Sequence, residues 1–254
     1  MTGDRLTVGV ITPHVAAGPE VELPAVTGGR IATIVSRTGS PPEAPQAPYR
    51  RGPSGHTELR ASTESTALER AAATFAGGKL AAVVHASTTT GYVIGQREEA
   101  VLVERLSLRF AVPAVVSCAA AASALRTHGV VRVQLVHPPW FDDEFDELGA
   151  AYFRDQGFDV VVTKAAGLPD DPARVGPQVV IDWVERHVED RTEAVFLAGN
   201  GFRVAGAVEE LERRTGRLVV EANQALAWGI LAATGAAREV PGHGRLLRAS
   251  PPTP

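Results

Sequence analysis

Apolar runs of strand length alternate along this chain with segments whose apolar residues recur every three or four positions. The runs at 6–12 (LTVGVIT), 30–36 (RIATIVS), 81–85 (AAVVH), 111–118, 130–136, 158–163, 194–198 (AVFLA) and 218–221 read as strands. The segments at 58–77, 92–109, 141–156, 179–189, 205–215 and 223–234 read as helices, and an alanine run ending at Gly129 reads as another, because glycine suits the residue after a helix end. Pro19 and Pro24 predict a short connection after the first strand. Five prolines between 39 and 55 predict an extended surface loop or flap, 169–178 a second loop, and the tail from Pro241 a segment running over the surface.

Strands alternating with helices predict an α/β architecture with mainly parallel sheets covered on both faces. The chain also reads as doubled. Each half has a strand ending at a proline, Thr12-Pro13-His14 and Val136-His137-Pro138, and a later strand ending in a small polar cluster, Ser87 to Gly91 and Gly199 to Gly201. Open parallel sheets bind ligands beyond the carboxyl ends of their strands, so two facing halves would gather both clusters and both histidines at one cleft.

The sharpest feature is the run Ala86-Ser87-Thr88-Thr89-Thr90-Gly91 between a strand and a helix. Hydroxyls and free backbone N–H groups meet there at the positive end of a helix dipole, a setting for a carboxylate or other small oxyanion. Composition agrees with a small-molecule partner. The chain has 254 residues, 44% hydrophobic and 21% charged, with a formal net charge of −4, which supplies no basic field for nucleic acid. A single cysteine, Cys118, excludes an internal disulfide, no apolar run approaches a membrane span, and the start lacks an apolar leader; the expected location is cytoplasmic.

Several stretches together resemble the aspartate/glutamate racemase superfamily, in the branch of maleate cis-trans isomerases and arylmalonate decarboxylases. They are Val8-Gly9-Val10-Ile11-Thr12-Pro13 with Ala16-Ala17-Gly18, Ala86-Ser87-Thr88-Thr89, Ser123-Ala124-Leu125-Arg126 with Gly129-Val130, residues 194–201, and His243-Gly244-Arg245-Leu246-Leu247. The resemblance implies two pseudo-symmetric Rossmann-like lobes with the active site in the cleft between them. The first lobe would cover 1–115 and be completed by 222–254; the second would cover 116–221. It also implies no metal, no organic cofactor, a small mono- or dicarboxylic acid as substrate, no nucleic-acid or membrane partner, and, as in many relatives, a homodimer.

By position, the resemblance makes Ser87, Thr88 and Thr89 oxyanion donors, and puts Trp140 where the decarboxylases carry a tyrosine. Gly199, Asn200 and Gly201 would line the second half of the site. The two cysteines of the isomerases and racemases fall on Ser87 and Gly199, so neither thiol is present, and a serine hydroxyl is far too weak an acid to replace one. The candidates for the acid/base are therefore His14, His137, a displaced thiol at Cys118, and Ser87 paired with a histidine. His85 reads as a core histidine, Asn200 as a group that binds a carboxylate or orders its turn, Arg203 as a charge for a second substrate carboxylate or a solvated arginine, and Glu221 as a further candidate base. The carboxylates at 209, 210 and 212 and the acidic run 142–147 read as solvated faces. Three functions stay open: an enediolate-forming decarboxylase or isomerase with a non-cysteine acid/base, a hydrolysis, elimination or cyclisation on the same scaffold, and a non-catalytic carboxylate binder.

Overall fold

The computed structural model describes residues 5–14, 17–38, 53–168, 175–236 and 238–248. In chain order the elements are β1 (Leu6–Thr12), α1 (Pro19–Val26), β2 (Ile31–Arg37), α2 (Pro53–Ala61), α3 (Ser65–Phe75), β3 (Ala82–His85), α4 (Thr88–Phe110), β4 (Ala114–Val116) and α5 (Ser117–Thr127). The second half holds β5 (Arg132–His137), α6 (Asp143–Asp155), β6 (Asp159–Ala165), α7 (Pro177–His187), β7 (Ala194–Leu197), a 3-10 turn at Ala205–Ala207 leading into α8 (Val208–Thr215), β8 (Leu218–Glu221), α9 (Ala222–Ala233) and α10 (Gly244–Arg248).

Two four-stranded sheets result, ordered β2-β1-β3-β4 and β6-β5-β7-β8, and every pairing is parallel. The two orders are the same after renumbering, so the internal doubling is a repeat of topology. Every residue of the inner strands β3 and β7, and of the edge strand β8, is out of solvent. That explains the unbroken apolar runs, since a parallel strand covered on both faces has no polar side to alternate with. The helix after β8, α9, packs back against α1, β4 and α5, with Ala225, Leu226, Trp228 and Ile230 in the main core. No helix among the described residues is long and apolar enough to cross a membrane.

The differences from the sequence reading have local causes. The connection at Pro19 and Pro24 is a helix, α1: Pro19 opens its first turn, where a missing N–H loses no helical hydrogen bond, while Pro24 lies inside the helix, three residues before its C-cap, and gives up one. The segment 58–77 is two helices, since Ser62, Thr63 and Glu64 turn the chain between them. The helix after β3 begins at Thr88, not Tyr92, so three of the four hydroxyl residues lie in its first turn, and it is interrupted at Gly95, whose φ is 77°. Ser117 and Cys118 start α5 instead of ending a strand. The tail is not purely superficial: Leu246 and Leu247 are buried in α10, and Val240 N–H donates to Leu247 O at 2.7 Å. Of the flap expected at 39–55, only 53–55 lie within the described residues, as the start of α2; of the loop expected at 169–178, residues 169–174 lie outside them.

Candidate active site

Ser87 stands in an extended conformation and caps α4, its Oγ accepting the Thr90 N–H at 3.1 Å. The Thr90 hydroxyl lies 2.8 Å and the Thr89 hydroxyl 3.1 Å from the same oxygen. Thr90 fills both acceptor positions of Ser87 Oγ, so Ser87 must donate to Thr89. The hydroxyls form a directed chain, Thr90 to Ser87 to Thr89, and the Thr89 proton is the one this chain leaves uncommitted. The same bonds occupy the Ser87 lone pairs that a nucleophile would use.

The two polar strand tips meet. Gly199 N–H donates to Thr88 Oγ1 at 3.1 Å, and Thr88 N–H donates to Asn200 Oδ1 at 3.1 Å. The Ser117 hydroxyl donates to the same Asn200 oxygen at 2.9 Å. Behind it, Asn200 Nδ2 donates to Asn223 Oδ1 at 2.8 Å, and Asn223 Nδ2 donates to Asn200 O at 3.0 Å and to Glu22 Oε2 at 2.6 Å. Glu22 Oε1 accepts the Ala205 N–H at 2.8 Å. These groups are buried, and buried amides need such partners. Both ends of the Asn200 carboxamide are thus engaged within the protein, bridging the β7 tip to α4 and α5.

At the first strand, the Thr12 hydroxyl donates to Ala86 O at 2.9 Å and accepts the His14 N–H at 3.3 Å, which sets His14 beside the hydroxyl run. Burial, with help from His85 and Arg37, pushes the His14 imidazole down to about 3, so it is uncharged at neutral pH. Burial alone pushes His85 down to about 4; its Nε2 lies 3.3 Å from the Ser62 hydroxyl, which in turn donates to Leu59 O, so His85 is the satisfied core histidine expected. His137 has both ring nitrogens engaged, Nδ1 with Asp146 at 2.6 Å and Nε2 with the Tyr92 hydroxyl at 3.1 Å.

Cys118 is fully buried, and its Sγ lies 3.3 Å from Thr88 O. Burial and then the nearby Glu99 charge push this thiol up, away from the thiolate that chemistry requires. Trp140 packs edge-on against Phe202, ring centres 5.7 Å apart. Arg203 is exposed and lowers the proton affinity of Glu22 from a distance, against a larger rise caused by burial. Glu221 caps α9 through the Gln224 N–H at 2.8 Å, while burial and Glu22 hold its carboxyl well above the usual range. Among the described residues no group of three or more His, Cys, Asp or Glu side chains is placed to hold a metal ion.

Sequence reasoning passed over Ser117, Asn223, Glu22, Tyr92 and Asp146. Ser117 carried the same signal as Ser87, a hydroxyl directly after an apolar strand. Asp146 was hidden in an acidic run: Asp142 caps α6 by accepting the Phe145 N–H at 3.1 Å, and Asp146 is turned inward to His137, so that run is only partly a solvated face. Glu212 likewise faces inward, accepting the N–H groups of Val219 at 3.0 Å and Arg245 at 2.8 Å.

Known structures share this fold. A maleate isomerase from Pseudomonas putida S16, solved with maleate, superposes with a TM-score of 0.80 at 23% identity, over 96% of this chain and 98% of its own. A Nocardia farcinica maleate cis-trans isomerase holding a covalent succinylcysteine intermediate gives 0.80 at 23% identity, over 97% and 99%. An arylmalonate decarboxylase gives 0.77 at 23% identity, over 95% and 98%. At this identity the three establish a common fold. No curated protein sequence matches the chain. The profile of the arylmalonate decarboxylase family, however, matches residues 57–247, from α2 through α10, and the chain belongs to that family.

Proposed function

We propose that the protein is a cofactor-independent enzyme acting on a small mono- or dicarboxylic acid through an enediolate-like intermediate. Breaking a C–H or C–CO2 bond beside a carboxylate leaves an electron pair that delocalises onto the carboxylate oxygens, and fixed donors must meet that charge. The observation that carries the reading is the directed hydroxyl chain ending on Thr89, set in the first turn of α4 where the β7 tip closes on it. Ser87 and Thr88 hold the turn in shape, and Trp140 with Gly199, Asn200 and Gly201 forms the opposite wall.

His14 is the acid/base of this reading, because Thr12 ties its main chain to the tip of β3 at Ala86, next to the hydroxyl run. Thr90 occupies the Ser87 oxygen, Asp146 and Tyr92 hold His137, and burial beside Glu99 keeps the Cys118 thiol protonated. A buried imidazole near 3 holds no proton at neutral pH, but an incoming carboxylate raises its proton affinity. With a malonate-type substrate, dianion and proton would enter together, the C–C bond would break to release CO2, and the imidazolium would deliver its proton to the α-carbon, returning to the neutral ring. A non-catalytic carboxylate binder is the second reading, favoured by the Cys118 thiol that burial keeps protonated and the Ser87 oxygen whose acceptor positions Thr90 fills.

The test is calorimetric titration of malonate in buffers of different ionisation enthalpy, beside assays for CO2 release from arylmalonates and for maleate-to-fumarate conversion. Binding with net proton uptake that disappears in His14→Asn, together with turnover of one substrate class, is the expected result. Binding without turnover selects the second reading, and failure to bind any small carboxylate overturns both.

A further inference from the structure

A second interlobe cluster lies one helical turn beyond the hydroxyl run. The Tyr92 hydroxyl is 3.1 Å from His137 Nε2, and His137 Nδ1 is 2.6 Å from Asp146 Oδ1. A carboxylate can only accept, so Nδ1 carries a proton; in the neutral ring Nε2 then accepts and Tyr92 donates, giving the order tyrosine to histidine to aspartate. Asp146 is itself anchored, its Oδ2 accepting the Ala165 N–H at 3.0 Å and its main-chain oxygen the Thr163 hydroxyl at 3.1 Å. His137 is wholly buried and Tyr92 nearly so.

The surroundings are shaped for these two rings. A Cβ on Gly149 of α6 would lie 2.8 Å from His137 Cε1 and 2.9 Å from Tyr92 Cε2, so only a glycine leaves the slot open. The residue after His137, Pro138, covers Gly199, whose N–H binds Thr88, and Thr88 stands four residues before Tyr92 on α4. The path Thr88, Gly199, Pro138, His137, Tyr92 and back along α4 is therefore a closed ring of contacts between the two sheets. A purely apolar contact would hold the halves together as well; directed hydrogen bonds add a unique register.

We infer that Tyr92, His137 and Asp146 form a positioning triad that fixes the β5–α6 turn, and with it Pro138 and Trp140, against the first turn of α4. None of the three touches the reacting atoms. The inference rests on the carboxylate-site reading for its functional meaning, while the register it claims stands on its own.

The experiment uses full-length protein labelled with 5-fluorotryptophan and 15N-histidine, with the Trp140 resonance assigned from Trp140→Phe and that of His137 from His137→Gln. Tyr92→Phe and Asp146→Asn are compared with Gly149→Ala, which crowds both rings without removing a polar group, and with Leu106→Ala, a distant core substitution that lowers stability alone. The expected result is a single Nδ1–H tautomer for His137 in wild type and Leu106→Ala, and a shifted or doubled Trp140 resonance in the other three. Malonate affinity should fall about tenfold or more in those three and stay near wild type in Leu106→Ala. An unchanged Trp140 resonance in Tyr92→Phe and Asp146→Asn overturns the triad. If wild type binds no malonate, the site reading fails, and the Trp140 and His137 resonances still decide the triad.

Discussion

Pro138 sits so close over Gly199 that a Cβ built on the glycine would come within 2.4 Å of the proline Cγ, and the glycine backbone has a φ of 93°. A side chain at 199 therefore meets both a steric clash and an unfavourable backbone region. Ser87 is different, because its φ of −161° is open to any residue and a thiol adds only the larger radius of one atom.

From this contrast, Ser87→Cys should fold and lose only about 1 kcal/mol for its weakened cap. Gly199→Cys should lose roughly 3 kcal/mol from overpacking and left-handed strain together. Urea denaturation of the two variants checks it; equal stability would mean that Pro138 moves aside freely.

Glu99 gives a pH prediction. Burial pushes its carboxyl up to about 7 against hydrogen bonds from Tyr152 and from the N–H groups of Cys118 and Ala119. A carboxyl raised above its unfolded value near 4.5 stabilises the fold fully below that value, and this stabilisation is lost as pH rises through 7. Wild type should thus lose roughly 3 kcal/mol from this group between pH 4 and pH 8, and Glu99→Gln should lack that component. The difference between the two proteins, followed by denaturation across this range, isolates Glu99 from His14 and His85. Their lowered values act oppositely, giving stability above pH 6.5 that is lost as pH falls toward 4 and 3.

The tail tests how far local composition misleads. Gly-, Arg- and Pro-rich sequence after Pro241 suggests a surface strap, yet Leu246 is fully buried and the start of α10 is held by two carboxylates of α8, Glu209 on Gly244 N–H at 2.7 Å and Glu212 on Arg245 N–H at 2.8 Å. Leu246→Ala should cost about 3 kcal/mol, as for other fully buried leucines. A change below about 0.5 kcal/mol in a thermal or urea melt would return the tail to the surface.

What the sequence made legible followed from periodicity. Buried parallel strands announce themselves as apolar runs, and β8 coincides with the stretch 218–221, three apolar residues closed by Glu221. The hydroxyl run was legible as a helix start for the same local reason. Tertiary placement was not legible: nothing in an acidic stretch distinguishes Asp146, which turns inward to His137, from exposed Glu147 beside it. Likewise Glu22 and Asn223 are 201 positions apart, and only the fold brings them to 2.6 Å.

The chain from Glu22 through Asn223 and Asn200 to α4 yields a last contrast. Ser117→Ala removes one of two donors to Asn200 Oδ1 and leaves the Thr88 N–H in place, so every remaining buried group keeps a partner. That loss should be about 1 kcal/mol, the net worth of an ordinary hydrogen bond. Asn223→Leu is nearly the same size but strips Asn200 Nδ2 of its acceptor and Glu22 Oε2 of its closest donor. Orphaning a buried carboxyl and an amide at once should cost about 3–5 kcal/mol, and burial would raise the proton affinity of Glu22 further. Urea denaturation of both variants at pH 5 and pH 8 separates the cases. Asn223→Leu should be the worse of the two at either pH, and worse still at pH 8, where Glu22 must ionise without its donor. Equal losses at both pH values would show that the Glu22 carboxyl does not depend on Asn223.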